Sequence, residues 1–342
     1  MQKISYESSL RKVCKMIKKE RFQISILVMI ALILLCGCAS GKGQKEVSGD
    51  YKKMVDLQQR KASAIQAEEP PLPEGYEATA ETHEKMGDNY IRQSNSVDAL
   101  TEYQRSLAKD PLRTTAQYKI GMLFLGRGLP EEALKEFEQI IAREPDNASA
   151  YYGRAKVRFL QRKPDLAKSD LSEALKLNDK LWQAHALLGV ILDAGKHHAE
   201  AQAEYLQSLA IQPDSAAVYN DLGVSLYLHG QFDKAADAFL KAFNIDPDNR
   251  RICNNLGLAL YRLGNAGDAL EAFKRGSGEA AAYNNIGYLQ MKDKQYKNAL
   301  AALEQAINAN PSYYARAQKN INKVKAALKK AKSQQTLDTL EK

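Results

Sequence analysis

The sequence has few residues of the kinds that dominate fibrous, low-complexity or disulfide-stabilised chains. Glycine and proline account for 20 and 10 of its 342 residues, and cysteine for only 4. These counts exclude a collagen-like chain, a low-complexity chain and a disulfide scaffold. Of the whole sequence, 44% is apolar and 26% is charged, the balance of a chain that folds around a core.

Residue sets typical of catalytic and metal sites are absent from the sequence as well. It has no Ser/His/Asp set, no paired catalytic carboxylates and no phosphate-binding glycine loop. His197 and His198, followed by Glu200, suggest a metal, but adjacent residues on a helix point about 100° apart, which is poor ligand spacing. They fall in an expected turn between helices, which favours solvated side chains. The sequence therefore predicts no enzyme, no metal and no cofactor apart from a covalent lipid, described below.

The net charge of +8 lies mostly at the start of the chain. Residues 1–37 carry +5, and the remaining residues carry only +3. A chain so close to neutrality lacks the dense positive surface that binds phosphate backbones. We therefore expect no nucleic-acid partner.

A secretion signal is predicted over residues 1–37. The basic stretch 11–21 precedes an apolar run, Ile24–Leu35, that is interrupted by a single serine. This run suits the core of a signal peptide and is short for a transmembrane helix of about 20 residues. Because the basic region is long, translation could begin at either Met1 or Met16.

The apolar run ends in Leu35-Cys36-Gly37-Cys38, which resembles the lipobox of bacterial lipoproteins. The resemblance implies cleavage before Cys38 and attachment of diacylglycerol and a further acyl chain, giving a stable membrane anchor. Ala39 after the cysteine implies the outer membrane, with the protein facing the periplasm. Cys36 is a poorer acceptor because the bulky Leu35 precedes it, and an uncleaved anchor is the alternative.

Residues 38–79 are predicted to be the lipidated cysteine and a flexible tether. Lys, Gln, Glu, Ser and Gly dominate this stretch, and Pro70-Pro71-Leu72-Pro73 interrupts it. Such a composition cannot bury enough apolar surface to fold by itself. In the mature chain Cys253 would be the one thiol left, so no internal disulfide is expected.

A 34-residue period governs the rest of the sequence. Pro111 and Pro145 are 34 residues apart, as are Pro213 and Pro247. Glycine and alanine columns follow the same period, at Gly87, Gly121, Gly189, Gly223 and Gly257, and at Ala99, Ala133, Ala167, Ala201, Ala235 and Ala269. This pattern resembles the tetratricopeptide repeat (TPR). It implies an all-α superhelical solenoid of about seven helix-turn-helix repeats, predicted at 80–113, 114–147, 148–181, 182–215, 216–249, 250–279 and 280–311, with a cap helix at 312–330 and a tail at 331–342.

In TPR proteins the first helix of each repeat lines a groove that holds a partner. Amides and tyrosines recur at groove positions in the last three repeats, together with an arginine, namely Asn220, Tyr227, Arg251, Asn254, Asn255, Tyr261, Asn284, Asn285 and Tyr288. Asparagine can donate to and accept from an extended peptide backbone, so we expect these side chains to face solvent and clamp a peptide. The alternative is that the asparagines are repeat consensus used in packing. Earlier repeats present a more apolar surface suited to a protein partner, at Tyr118, Met122, Tyr152, Lys156 and Phe159.

One lipoprotein family combines a lipobox, a tether and such an array. The stretch 279–288, Glu-Ala-Ala-Ala-Tyr-Asn-Asn-Ile-Gly-Tyr, and the stretch 310–314, Asn-Pro-Ser-Tyr-Tyr, resemble the TPR lipoprotein of the Tad (tight adherence, Flp pilus) secretion system. The resemblance implies a pilotin-like factor that helps to assemble the outer-membrane secretin, with a secretin or another pilus-assembly component as partner. Alternatives are a type IV pilus biogenesis lipoprotein and an adaptor for peptidoglycan or exopolysaccharide machinery.

Overall fold

The computed structural model describes residues 78–340, except for the side chains of residues 313, 314 and 331–340. The signal peptide, Cys38 and nearly all of the tether lie outside these residues. The described chain contains fifteen α-helices, one short 3-10 helix and no strand, which confirms the all-α repeat fold. It forms two compact units, residues 78–191 and 192–340, that divide within one helix.

Fourteen of the helices follow one another as seven pairs. Their bounds are α1 Ala80–Arg92, α2 Ser96–Lys109, α3 Thr114–Gly126, α4 Pro130–Arg143, α5 Ala148–Leu160, α6 Pro164–Leu177, α7 Trp182–Ala194, α8 His198–Ile211, α9 Ala216–Leu228, α10 Phe232–Ile245, α11 Arg250–Arg262, α12 Ala266–Ser277, α13 Glu279–Lys292 and α14 Tyr296–Ala309. A 3-10 turn, Pro311–Tyr313, leads into the final helix, α15 Tyr314–Leu340. Within each unit, odd-numbered helices pack on the even-numbered helices that follow them.

A glycine on the first helix of a pair receives an aromatic ring from the second. A Cβ atom added at Gly223 would lie 2.6 Å from Cε1 of Phe239, and one at Gly121 would lie 2.7 Å from Cε1 of Phe137. Both rings are fully buried. At these positions a side chain in place of glycine would displace a buried aromatic ring of the core.

The turn inside each pair has three residues, and its middle residue has a positive φ. Glycine occupies this place at Gly128, Gly230 and Gly264, with φ of 74°, 80° and 82°. In the other four turns the residue is Ser94, Arg162, Lys196 or Lys294, with φ of 59–65°. Residues with a Cβ atom pay a steric cost in this conformation, so these four turns are strained relative to the glycine turns.

The shortened sixth repeat removes most of the connection to the seventh. Helix α12 ends at Ser277 and α13 begins at Glu279, so the single residue Gly278, at φ 82°, joins them. Helix α13 thus begins one residue before the predicted repeat boundary. Glycine is required at this join because the chain reverses there in a left-handed conformation.

The final helix is longer than the sequence predicts. We expected a cap helix that ends at residue 330 and a separate tail, but α15 continues to Leu340. No glycine or proline occurs between Tyr314 and Leu340, so nothing in the sequence stops the helix. Its buried residues Ile321 and Val324 pack with Leu303 of α14, which closes the end of the last repeat.

Candidate binding surfaces on the first helices of the repeats

Buried asparagines link the first helices of successive repeats in the C-terminal unit. Asn255 donates its amide to the Oδ1 atom of Asn220 at 2.7 Å, and Asn320 of the cap helix donates to Asn284 at 2.9 Å. All four side chains are buried. We call these four residues the asparagine ladder. Each hydrogen bond between two of these asparagines is a rung of the ladder, and its donor and its acceptor both lie inside the protein.

The expectation that these asparagines face solvent is wrong for most of them. Asn220, Asn255, Asn284 and Asn285 are only 2%, 3%, 6% and 7% exposed. An amide carries both donors and an acceptor, so asparagines on neighbouring helices bond to each other as readily as to a peptide. The packing role, which the sequence left as the alternative, therefore accounts for the ladder.

The ladder lacks a rung where the sixth repeat is shortened. The residues equivalent to Asn220 and Asn255 are Asn254 and Asn285. Asn254, which is half-buried, accepts instead from the hydroxyl of Ser277 at 2.6 Å. The Nδ2 atom of Asn285 is buried and has no partner among the described residues. The deletion thus exchanges a rung between repeats for a bond to the end of α12.

Tyr227 and Tyr261, also predicted to line the groove, are largely engaged within the protein. Tyr227 packs edge-on against Phe232, with ring centroids 5.1 Å apart, and its hydroxyl accepts from Nε of Arg262 at 3.2 Å. Tyr261 is 8% exposed, and burial raises its pKa to about 12. Neither ring offers a broad face to a partner.

Arg251 and Tyr288 are the predicted groove residues that remain exposed in the C-terminal unit. Arg251 forms an ion pair with Asp221 at 2.7 Å. Burial raises the pKa of Asp221, and the charge of Arg251 opposes that rise. Tyr288 is 38% exposed, and Nζ of Lys292 lies 5.7 Å from its ring centroid. With most of the predicted asparagines buried, this face presents scattered contacts and no continuous clamp.

In the N-terminal unit a half-buried surface carries aromatic residues and one lysine. We call it the aromatic face, and it consists of Tyr118, Met122, Tyr152, Lys156 and Phe159 on helices α3 and α5. Burial raises the pKa of the Tyr118 hydroxyl well above its usual range and that of Tyr152 to about 12. These rings pack against the core on one side and remain partly accessible on the other.

Lys156 stands among these rings without a carboxylate. Its Nζ atom lies 5.6 Å from the ring centroid of Tyr152, and desolvation lowers its pKa. Among the described residues, no carboxylate forms an ion pair with it. A partly desolvated ammonium of this kind gains stability from any anion that a partner supplies.

The charges around Lys156 leave a positive excess on α5. Arg154 and Arg158 both bind the buried Asp170 through a terminal guanidinium nitrogen at 2.7 Å, and Nε of Arg154 also donates to it at 3.2 Å. Helix α5 contains three basic residues and no acidic one. Asp170 therefore neutralises one positive charge, and Lys156 remains uncompensated.

Beside Tyr118 lies a cavity of 470 Å³, lined by Glu84, Thr114, Thr115, Tyr118, Lys119, Glu144, Asn147 and Ser149. Glu84 accepts from Lys119 at 2.7 Å and from Arg113 at 2.5 Å. Although burial would raise the pKa of Glu84, these hydrogen bonds and that of Thr115 hold it below its usual value. Lys119 follows Glu84 by 35 residues, as Asn255 follows Asn220, so this ion pair occupies the register of the asparagine ladder.

A polar network in the C-terminal unit went unrecognised in the sequence. Asp193 accepts from the hydroxyls of Ser225 at 2.7 Å and Tyr205 at 3.1 Å, and it lies 2.8 Å from Nδ1 of His198. The expectation of solvated histidines holds for the exposed His197 but is wrong for His198, which this network partly buries. Ser225 is fully buried and bonds to the carboxylate, so the cluster is a structural tie between repeats.

No group of three or more His, Cys, Asp or Glu side chains suited to a metal occurs in residues 78–340. Within the same part of the chain, no helix combines the length and the apolar character needed to cross a membrane.

The comparison with known families agrees with the repeat pattern. Models of the tetratricopeptide repeat match residues 84–137, 118–167, 154–216 and 280–313, and a TPR repeat model matches residues 225–264. The chain belongs to the tetratricopeptide-repeat family. No curated protein matches it in sequence.

Solved structures with the same fold are distant in sequence. Pseudomonas aeruginosa pilF is 19% identical over 63% of this chain and 97% of its own, with a TM-score of 0.50. A chain of the APC/C hetero-tetramer Cut9–Hcn1 is 16% identical over 85% of this chain and 61% of its own, with a TM-score of 0.52. TTC0263, a thermophilic TPR protein of Thermus thermophilus, is 22% identical over 54% of this chain and 100% of its own, with a TM-score of 0.49. The first two likenesses show the repeat fold alone.

Proposed function

We propose that this TPR protein is a lipid-anchored scaffold, with no enzymatic activity, that binds an acidic segment of a protein partner on the aromatic face. TPR repeats are suited to protein–protein interaction. The observation that carries the proposal is Lys156, a desolvated cation beside Tyr152 with no carboxylate partner in the described chain. A glutamate or aspartate of a bound segment would supply the missing charge.

The aromatic rings next to Lys156 indicate which other side chains the bound segment carries. Tyr118, Tyr152 and Phe159 offer apolar area with little loss of side-chain entropy, because aromatic side chains have few rotatable bonds. We infer that the segment carries aliphatic side chains next to its acidic residue. The asparagine ladder contributes rigidity to the C-terminal unit and does not contact the partner.

For the cellular role, we propose a pilotin-like factor in assembly of the Tad/Flp pilus, with a secretin or another pilus-assembly component as partner. The resemblance of residues 279–288 to the TPR lipoprotein of that system supports this assignment. The lipobox at Cys38 supports attachment to the outer membrane on the periplasmic side. The resemblance and the lipobox are both independent of the geometry of the aromatic face.

Photo-crosslinking in living cells tests the proposed surface. A benzophenone amino acid would replace Phe159 on the aromatic face or, as a matched control, the exposed Leu166 on α6 of the same unit. We expect crosslinks from position 159 to an acidic segment of a pilus-assembly protein, and none from position 166. Crosslinks from both positions to the same segment, or none from position 159, would overturn the proposal.

A further inference from the structure

Between residues 315 and 330, the buried side chains of the cap helix α15 lie on one side. Ala317, Ile321 and Val324 are buried, and they recur at the spacing of one helical face. Asn320, on the edge of this face, forms the last rung of the asparagine ladder. The opposite side of the helix faces away from α14.

This outer side carries a stripe of positive charge. Arg316, Lys319, Lys323 and Lys330 are all exposed, and their spacing of three, four and seven residues places them in one line along the helix. At a rise of ~1.5 Å per residue the line is about 21 Å long. We call these four residues the basic stripe.

The basic stripe lies in a segment that contains no acidic residue. Residues 311–330 contain six basic residues and no acidic one, whereas the rest of the chain after residue 37 carries a net charge of −3. Lys319, Lys323 and Lys330 form no ion pair with a described residue. The positive charge of the mature protein is thus concentrated on α15.

The form of the stripe indicates the form of its partner. Between residues 315 and 330 its outer side offers no apolar side chain larger than alanine, so it lacks the apolar anchors of a protein interface. Residues 315–330 also contain no aromatic residue that could recognise one particular anion. A straight line of exposed cations can meet a flat anionic surface all at once.

We propose that the basic stripe binds the anionic headgroups of a phospholipid membrane. This choice among polyanions rests on the proposed membrane attachment, which would hold α15 near lipid. Each basic residue near an anionic surface contributes about fivefold to the affinity, so four together give a strong preference for anionic lipid. The stripe would dock the C-terminal unit on the membrane that carries the anchor.

Chemical labelling of lysines tests the proposal at single residues. The whole chain is mixed with phosphatidylcholine vesicles that either contain or lack phosphatidylglycerol, and the floated fraction is acetylated with a lysine-reactive ester. We expect acetylation of Lys319, Lys323 and Lys330 to slow by about threefold or more on the anionic vesicles, and raised salt to reverse the effect. Lys325, exposed on another side of α15, is the internal control and should change less.

A variant with all three lysines replaced by glutamine should float with anionic vesicles no better than with neutral ones. Equal labelling rates on both vesicles would overturn the proposal. The proposal would also be overturned if duplex DNA slowed acetylation of the three lysines at a lower phosphate concentration than the anionic lipid requires. Flotation tests the proposed membrane attachment, and lysine labelling tests the basic stripe, so either proposal can fail without the other. A chain that floats with neither kind of vesicle contradicts both proposals.

Discussion

Asn255 donates a hydrogen bond of 2.7 Å to Asn220, and both amides are buried between the first helices of successive repeats. In the N-terminal unit Lys119 and Glu84 form an ion pair of 2.7 Å in the same register. Each bond therefore joins one repeat to the next and helps to fix their separation. Repeat proteins depend on such nearest-neighbour contacts because no single repeat buries a core of its own.

Replacing one of the two asparagines in a rung of the ladder should destabilise the protein. We expect Asn255→Ala to lower the free energy of unfolding by about 1–3 kcal/mol, because it leaves the buried oxygen of Asn220 without a donor. Urea unfolding of this variant and of the exposed control Lys234→Ala measures the effect. Equal stability of Asn255→Ala and the unaltered protein would show that the rung contributes nothing.

The glycine column should be intolerant wherever an aromatic ring packs on it. Gly223→Ala places a methyl group against Phe239, and we expect a loss of about 1–3 kcal/mol from overpacking. Gly126, on α3, has nothing within 4 Å of an added Cβ atom. Gly126→Ala should instead raise stability by about 0.5–1 kcal/mol, because alanine loses less backbone entropy in a helix. This account would be contradicted if thermal unfolding showed both variants to be more stable, or both to be less stable, than the unaltered protein.

The four turns without glycine can be relieved of strain. Arg162 has φ of 59°, and we expect Arg162→Gly to raise stability by up to about 1 kcal/mol, the difference between steric relief and added chain entropy. Lys176→Gly, within α6, should lose about 1 kcal/mol. Chemical denaturation of the two variants separates the turn effect from the general cost of glycine.

The period and the glycine column could be predicted from the sequence because each repeat places the same residue at the same packing position. The positive φ at Ser94 and at Lys196 could not be predicted, since serine and lysine are not typical of a left-handed turn. The burial of Asn220 was missed because its partner, Asn255, comes from the next repeat. His198 was misjudged for the same reason, since the network around Asp193 includes Ser225 of the following repeat.

Lipidation is a separate prediction from the sequence. We expect Cys38→Ala to abolish labelling with a palmitate analogue, because that cysteine follows a small residue at the end of the apolar run. Cys36→Ala should label normally and serves as the matched control. Persistent labelling of the Cys38→Ala protein would show that the lipobox is misassigned.

Binding at Lys156 should depend on pH in a direction fixed by its environment. Desolvation lowers the pKa of this lysine, and a bound carboxylate would raise it by stabilising the charged form. Affinity for an acidic peptide should therefore be full below the lowered pKa of the free protein and decline as pH rises through the pKa of the complex. Affinity of the Lys156→Met variant should not show this decline.

The central claim is that Lys156 receives a carboxylate, and a binding cycle tests it most directly. Fluorescence anisotropy would compare peptides of alternating leucine and glutamate with twins in which glutamine replaces glutamate. We expect the unaltered protein to prefer the glutamate peptides by about tenfold, Lys156→Met to lose that preference, and the exposed control Lys176→Met to keep it. A Lys156→Met protein that still prefers the glutamate peptides by the same factor would contradict the account.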